Sequence, residues 1–337
     1  MFNNKDILIT GGTGSFGNAF VMKILSEYKP KRLIIFSRDE LKQYDMRKKF
    51  DHSCLRFFLG DVRDYDRLLQ AMKGVDYVVH AAALKQVPSS EYNPDEFIKT
   101  NIYGAQNVIN AAIKNNVESI IALSTDKAAN PINLYGATKL TSDKLFIAAN
   151  NSVGKQNTKF SVVRYGNVVG SRGSVVPLFQ GLYEEGNKKI PITHKDMTRF
   201  GITLEKGILF VIKSFQRTKG GEVFVPKSPS VKIVDVAKAF APGAEIEYIG
   251  IRPGEKISEV LCPSEGSYLI VEFDDHFVIE PSIVFSDIAK NFKTNCLNEK
   301  GKKIEEHFEY NSANNSHFLT VEEIKNYLWF LIIVIYQ

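Results

Sequence analysis

The chain has 337 residues, 44% hydrophobic and 24% charged, with 43 Lys and Arg against 38 Asp and Glu. That balance excludes a disordered polymer and a mini-protein dependent on staples, because a chain this long buries a full core. The excess of five positive charges lacks the basic stripe of a nucleic-acid binder and is compatible with an anionic small ligand.

Three distant cysteines, Cys54, Cys262 and Cys296, cannot all pair and have no metal-ligand spacing, which points to a reducing compartment and no metal. The amino terminus has no signal-peptide layout. The apolar run Tyr327–Tyr336 spans ten residues, short of the roughly 18 a membrane span needs. It reads as a terminal strand or an oligomer contact, with a peripheral membrane contact as the lesser reading, and the chain as a soluble cytoplasmic protein.

In chain order, strands are predicted at Ile7–Thr10, Arg32–Phe36, Leu55–Leu59, Asp76–His80, Ser119–Ser124 and Ser161–Arg164. Helical patterns fall between them at Asn18–Glu27, Leu68–Met72, Tyr103–Lys114 and Tyr135–Ala149. This alternation implies an α/β protein with a Rossmann-type, doubly wound parallel sheet whose ligand lies at the strands' carboxyl ends. After Asn167 the rhythm breaks: Gly166, Gly170, Gly173 and Pro177 mark irregular backbone. Helices are then expected at Lys206–Ser214 and Val231–Phe240, with strands at Val223–Val225 and Glu245–Ile249. The expected division is a cofactor domain over 1–168, rejoined by about 203–230, and a smaller mixed α/β lobe from 169–202 and 231–337.

Gly11, Gly14 and Gly17 are spaced Gly-x-x-Gly-x-x-Gly between the first strand and the first helix. There, glycines admit a tight turn and bring backbone close to a pyrophosphate on the helix amino terminus, with Thr13, Ser15 and Phe16 in the same loop. A bare tight turn is the bland alternative, disfavoured by this strand-loop-helix context. The second strand runs into Ser37-Arg38-Asp39-Glu40-Leu41-Lys42, where Ser37, Arg38 and Lys42 favour the 2′-phosphate of NADP and Asp39 keeps NAD open. A solvated charge cluster is the competing reading of that stretch. Asp61 and Val62 follow the third strand as adenine neighbours, and Ala81 and Ala82 follow the fourth as small residues that let a cofactor approach.

Tyr135 and Lys139 stand four apart on one helix face, where a nearby ammonium favours the tyrosinate. Alone, Tyr-x-x-x-Lys is a common accident. Ten residues upstream, however, the fifth strand ends in Ser124-Thr125-Asp126-Lys127, facing the same crevice, with Thr125 able to bond the same alcohol as Tyr135.

With these residues in place, the chain resembles an extended short-chain dehydrogenase/reductase, and more narrowly the inverting UDP-N-acetylglucosamine 4,6-dehydratases that open the pathway to pseudaminic acid. The resemblance runs from the glycine motif to about His317. It is most specific in Ser124–Leu140 (STDKAANPINLYGATKL), Val163–Pro177 (VRYGNVVGSRGSVVP) and Ile249–Lys256 (IGIRPGEK). Relatives that retain configuration carry Asp-Glu where this chain has Asp126-Lys127. The resemblance implies oxidation at sugar carbon 4 by NADP, loss of water across carbons 5 and 6, and return of the reducing equivalent to carbon 6. It assigns Lys127 to carbon 5, Asp126 to the carbon 6 hydroxyl and Tyr135 to the carbon 4 hydroxyl, supported by Thr125 and Lys139. A lysine base needs a depressed pKa, which Lys139 and the cofactor's charge would supply; a plain Lys127–Asp126 ion pair is the bland alternative.

For UDP-N-acetylglucosamine itself, the resemblance implies contacts from Lys85, Ser124, Thr125, Asn167, Val168 and Val176. It gives Arg199 and Arg252 to the diphosphate and Glu255 to a ribose hydroxyl. A homo-oligomer, dimer or hexamer, is implied as well. Gln86, Ser89-Ser90 and Gly201 depart from the family pattern, where His, a more apolar pair and Trp are usual. Two other readings stay open: a retaining 4,6-dehydratase or 4-epimerase on the same scaffold, and a non-catalytic NADP-binding regulator.

Overall fold

The computed structural model describes residues 1–154, 156–168, 175–283 and 291–327. The expectations for Gly170 and Gly173, and for the apolar run beyond Tyr327, lie outside these residues.

Strand β1 (Asp6–Thr10) leads into helix α1 (Ser15–Glu27), followed by β2 (Arg32–Ser37), α2 (Glu40–Lys49) and β3 (Leu55–Leu59). Next come α3 (Tyr65–Ala71), β4 (Tyr77–His80) and two short helices, α4 (Val87–Tyr92) and α5 (Pro94–Phe97). A π-helical turn, Ile98–Tyr103, runs into α6 (Gly104–Lys114), and β5 (Ser119–Thr125), α7 (Leu134–Ala149) and β6 (Lys159–Tyr165) complete the first run. Beyond it lie β7 (Asn167–Val168), α8 (Val175–Glu184), β8 (Lys189–Ile192), β9 (Thr198–Ile202), α9 (Leu204–Arg217) and β10 (Val223–Pro226). The last part holds β11 (Ser230–Lys232), α10 (Ile233–Phe240), β12 (Glu245–Tyr248) and five short strands. These are β13 (Val260–Cys262), β14 (Ile270–Glu272), β15 (His276–Ile279), β16 (Lys302–Lys303) and β17 (Tyr310–Asn311).

The main sheet has the order β16-β14-β15-β10-β6-β5-β4-β1-β2-β3. From β3 to β10 every pairing is parallel, and β10 joins β6 through Val223↔Val162. The antiparallel strands β15, β14 and β16 then extend that edge. Buried strands alternate their side chains: Ile7 and Ile9 pack under α1 with Phe20, Val21 and Ile24, while Leu8 faces Val108 and Ala112 of α6. A third apolar cluster, built on Phe179, Ile190, Ile192, Val236 and Ile324, packs α8, β8 and α10 together.

Three local outcomes differ from the sequence reading. The helix expected over Val231–Phe240 starts at Ile233, because Ser230–Lys232 pair with Phe200–Thr198 as the edge strand β11. The stretch around Pro177 forms α8, which tolerates a proline in its first turn. The charge cluster after β2 is itself helical: Asp39 caps α2 by accepting from the Lys42 N–H at 3.0 Å.

Candidate active site

Sheet order reverses direction between β1 and β4, and the crevice above that point is where an α/β sheet takes its ligand. Gly11 turns the chain there at φ 65°, and a Cβ on it would lie 2.9 Å from the Ala82 backbone. A Cβ on Gly17 would lie 2.1 Å from the Gly12 carbonyl oxygen, so helix and loop close only on glycine. Gly14 begins α1 without a side-chain cap, which leaves the positive end of a 13-residue helix to an anion. This cradle fits a dinucleotide pyrophosphate. Phe16 stacks on Phe20, and Ser15 is the first residue of α1.

Around the cradle, the Thr13 and Ser37 hydroxyls bond at 2.8 Å and Ser37 is buried. Arg38 projects to solvent with Asp61 at 3.7 Å. Asp39 is engaged twice, as the α2 cap and by Lys42 Nζ at 2.7 Å. Glu40 opens α2 and Leu41 is exposed beside it. Val62 packs against Gly104, and Ala81 and Ala82 both offer an N–H to the Thr10 hydroxyl.

The residues expected to carry the chemistry converge at the end of β5. Thr125 caps a single 3₁₀ turn, Asp126–Ala128, which places Asp126 and Lys127 side by side. Lys127 Nζ lies 3.1 Å from Asp126 Oδ1 and 3.2 Å from Glu259 Oε1. The Thr125 hydroxyl donates to the same Asp126 oxygen at 2.9 Å. Helix α7 starts against this turn. Asn133 caps it through the Gly136 N–H at 2.8 Å and holds the Gly254 carbonyl with its amide at 2.8 Å. Tyr135 and Lys139, one turn apart on α7, are both buried there. The unusual Ser90 proves useful: buried in α4, its hydroxyl accepts the Tyr135 N–H at 3.3 Å.

Electrostatics differ from the expectation at two residues. Burial alone would pull Lys127 down, but the charges of Asp126 and Glu259 outweigh it and hold the ammonium above its ordinary value. Burial pushes Tyr135 up to about 12, against the opposing pulls of the Lys127 charge and the Thr125 hydroxyl. The Lys127 charge, which was not expected to act on the tyrosine, is therefore one of the groups that favour its anion. Lys139 itself is lowered by burial, with Asp143 resisting. His80 is lowered to about 3, by burial and then by Lys139, and so is neutral.

The residues expected to meet substrate divide into groups. Asn167, Val168, Val176 and Arg199 line one apolar cavity with Phe200 and Gly201. Ser124 instead donates to the buried Asp143 at 2.7 Å, where Arg164 pairs at 3.1 Å, tying β5 to α7. Arg252 is exposed and forks onto Glu255, which also accepts from Thr193 at 3.0 Å. Arg199 is buried and donates to the carbonyls of Thr198, Ile257 and Lys256. Lys85 is exposed beyond β4, next to Leu84.

Four residues were not singled out from sequence. Asn101, in the π-helical turn, clamps Leu84 through both backbone groups at 2.9 Å and reaches Thr138 at 3.1 Å. Gly136 lets α7 touch the Lys127 carbonyl, and Asp143 anchors Ser124. Glu259 is the fourth; a lone acid opening the apolar run Val260–Cys262, three residues past Lys256, was the signal available.

A family model described as polysaccharide biosynthesis protein matches residues 7–281. The UDP-N-acetylglucosamine 4,6-dehydratase (inverting) of Campylobacter jejuni is 56% identical over 324 residues, covering 96% of this chain and 97% of its own. The UDP-glucose 4-epimerase of Rickettsia canadensis is 43% identical over 335 residues, covering 97% and 96%. Among solved structures, Pen from Bacillus thuringiensis superposes with a TM-score of 0.88 at 37% identity over 99% of both chains. The chain therefore belongs to the polysaccharide biosynthesis protein family of extended short-chain dehydrogenase/reductases, within the group of inverting UDP-N-acetylglucosamine 4,6-dehydratases.

Proposed function

We propose that the chain removes water from UDP-N-acetylglucosamine and inverts carbon 5, giving UDP-2-acetamido-2,6-dideoxy-β-L-arabino-hex-4-ulose, the entry step to pseudaminic acid. The observation that carries this reading is the Asp126–Lys127 pair, a carboxylate and an ammonium 3.1 Å apart, set on a turn against Tyr135 of α7. One dyad of that kind supplies both an acid and a base to adjacent carbons.

NADP is the proposed cofactor, held by the Gly11–Gly17 cradle, with Arg38 and Lys42 at the 2′-phosphate and Asp61, Val62, Ala81 and Ala82 along the adenosine and nicotinamide. Asp39 favours this choice over NAD, because its carboxylate already serves the α2 amino terminus and Lys42. Bound there, NADP would supply a hydride acceptor for carbon 4 and the same hydride for carbon 6.

The chain's own groups then manage protons. Tyr135 Oη, as the phenolate that the Lys127 charge and the Thr125 hydroxyl favour against burial, takes the proton of the carbon 4 hydroxyl, with Lys139 lying one turn behind. Lys127 Nζ takes the carbon 5 proton, which the adjacent ketone has made acidic, and Asp126 gives a proton to the departing carbon 6 hydroxyl. Both roles require the opposite of the resting ion pair. A single transfer from Lys127 Nζ to Asp126 Oδ1 creates the neutral amine and the protonated acid together. Once hydride is back on carbon 6, a proton from solvent reaches carbon 5 on the face opposite Lys127, which completes the step and inverts that centre. Asn167, Val168, Val176 and Lys85 receive the sugar and Arg252 with Glu255 the nucleotide, while Arg199 serves as a fixed wall of the pocket. A homo-oligomer in the cytoplasm belongs to the same proposal, supported by the family resemblance alone.

The 43% identity to a UDP-glucose 4-epimerase supports a second reading, epimerisation at carbon 4 without loss of water. Mass spectrometry of UDP-N-acetylglucosamine incubated with the NADP-loaded protein separates the two. Dehydration gives a product lighter by one water, and an unchanged mass rejects it.

A further inference from the structure

Lys127 faces a second buried carboxylate that no step above uses. Glu259 is 2% exposed, with Oε1 3.2 Å from Lys127 Nζ and 3.9 Å from Arg199 Nε. Its other oxygen, Oε2, is buried without a hydrogen-bond partner among the described residues, as is Asp126 Oδ2. A buried carboxylate in this state is costly, and chains keep one where it has a task.

The placement is built from distant parts of the chain. The Glu259 N–H donates to Ser312 Oγ at 2.9 Å, and the Ser312 N–H donates back to the Glu259 carbonyl at 2.8 Å. The Ser312 hydroxyl also bonds Thr198 Oγ1 at 2.8 Å, which joins β9 to the same point. Strands β13 and β17 pair immediately beyond, and β13 packs on the turn that carries Lys127. From the other side Lys256 Nζ donates to the Ala129 carbonyl at 2.9 Å and pins that turn.

A simpler account would make Glu259 the counter-ion of Arg199. The distances oppose it. Both terminal nitrogens of Arg199 donate to backbone carbonyls, and its Nε is 3.9 Å from Glu259, beyond hydrogen-bond length. Lys127 is the group that Glu259 contacts.

We infer that Glu259 is a positioning residue for the dehydration, gripping Lys127 Nζ opposite Asp126 so that the amine is held where carbon 5 must arrive. The inference rests on Lys127 being the carbon 5 base. Grip and charge act together: Asp126, Glu259, Arg199, Lys256 and Tyr135 all face the ammonium, and Glu259 is one of the two charges that favour its protonated form. Exchange at carbon 5 needs only the neutral amine, so it also proceeds when Lys127 loses its proton to solvent; neutralising Glu259 lets that happen at lower pH, while a purely architectural glutamate would leave that pH unchanged.

The test follows deuterium entry at carbon 5 by NMR, with NADP-loaded protein and UDP-N-acetylglucosamine in deuterated water across a pH series. In E259Q the rising limb of exchange is expected to move about one unit toward lower pH, whatever its height. A limb coinciding with that of the unmodified protein overturns the inference. E259D carries the test should E259Q not fold: charge is kept but reach is shortened. It should keep the limb and lose kcat by about tenfold at near-constant KM, and an unchanged kcat overturns the inference. No exchange in the unmodified protein would instead overturn the dehydratase reading itself, so the two failures are distinguishable.

Discussion

Replacing Gly136 by alanine tests how closely the catalytic turn and α7 are fitted. A Cβ built on Gly136 lies 2.1 Å from the Lys127 carbonyl oxygen and 3.0 Å from its carbon, where ordinary contacts begin near 3.4 Å. Turn and helix would have to part by more than about 1 Å, and the obstacle is backbone rather than a pliable side chain. Helix propensity works the other way, since alanine inside a helix is favoured over glycine by roughly 0.5–1 kcal/mol. Overpacking of a tight site costs about 1–3 kcal/mol. We expect the clash to win by about 1–2 kcal/mol, lowering Tm by roughly 1.5–3 °C in a chain of this length. Misplacing a reacting group by ~1 Å costs about a hundredfold in rate, so kcat should fall about that far. Gly181→Ala in α8 is the control, because no atom lies within 4 Å of its Cβ position, and it should be neutral or stabilising. A Gly136→Ala protein with normal kcat and unchanged Tm would refute the claimed fit of α7 to the Lys127 turn.

Other outcomes can be checked directly. Arg38→Ala should weaken NADP binding by tenfold or more, as expected for the loss of about 1.5 kcal/mol in a charged hydrogen bond, with NAD binding unaltered. Equal loss of both cofactors in titration calorimetry would contradict the phosphate role. Arg217 is fully buried, with Glu299 and Asp275 each at 2.7 Å. Burial would raise both acids, but their bonds to Arg217, and for Asp275 the bond to His276, hold Asp275 far below its ordinary range and Glu299 at about 2. Depressed carboxylates contribute stability above their unfolded values, and that contribution fades as pH falls through the folded ones. Arg217→Met should therefore lower stability at neutral pH by about 3 kcal/mol and flatten the fall in Tm between about pH 5 and pH 2. A parallel Tm–pH curve would count against this account.

What could be read from the sequence was mostly local. The glycine cradle, the Thr125–Lys127 strand end and the Tyr135–Lys139 spacing each lie within eight residues, so one strand or helix places them. Helix α2 escaped notice because its apolar residues, Leu41, Tyr44 and Met46, form no buried stripe: the first two are exposed. Val231 and Lys232 read as helical because a three-residue edge strand has no period of its own, and only pairing with β9 defines it. The final strands carry no motif, and β14 and β15 acquire their direction from β10. Glu259 was hidden for the same reason, being aimed by Ser312 and Thr198 from far along the chain. The state of Lys127 depends on that contact as well: the depressed amine expected from Lys139 and the cofactor's charge gives way to one raised by Asp126 and Glu259 together.

Dehydration coupled to inversion at carbon 5 is what distinguishes the proposed activity from that of other enzymes on this scaffold. NMR of the product formed from UDP-N-acetylglucosamine by NADP-loaded protein in deuterated water tests it most directly. A 4-keto, 6-deoxy sugar of L-arabino configuration with deuterium at carbon 5 is the expected product. A product that keeps the original configuration at carbon 5, or no ketosugar at all, would contradict the proposed activity.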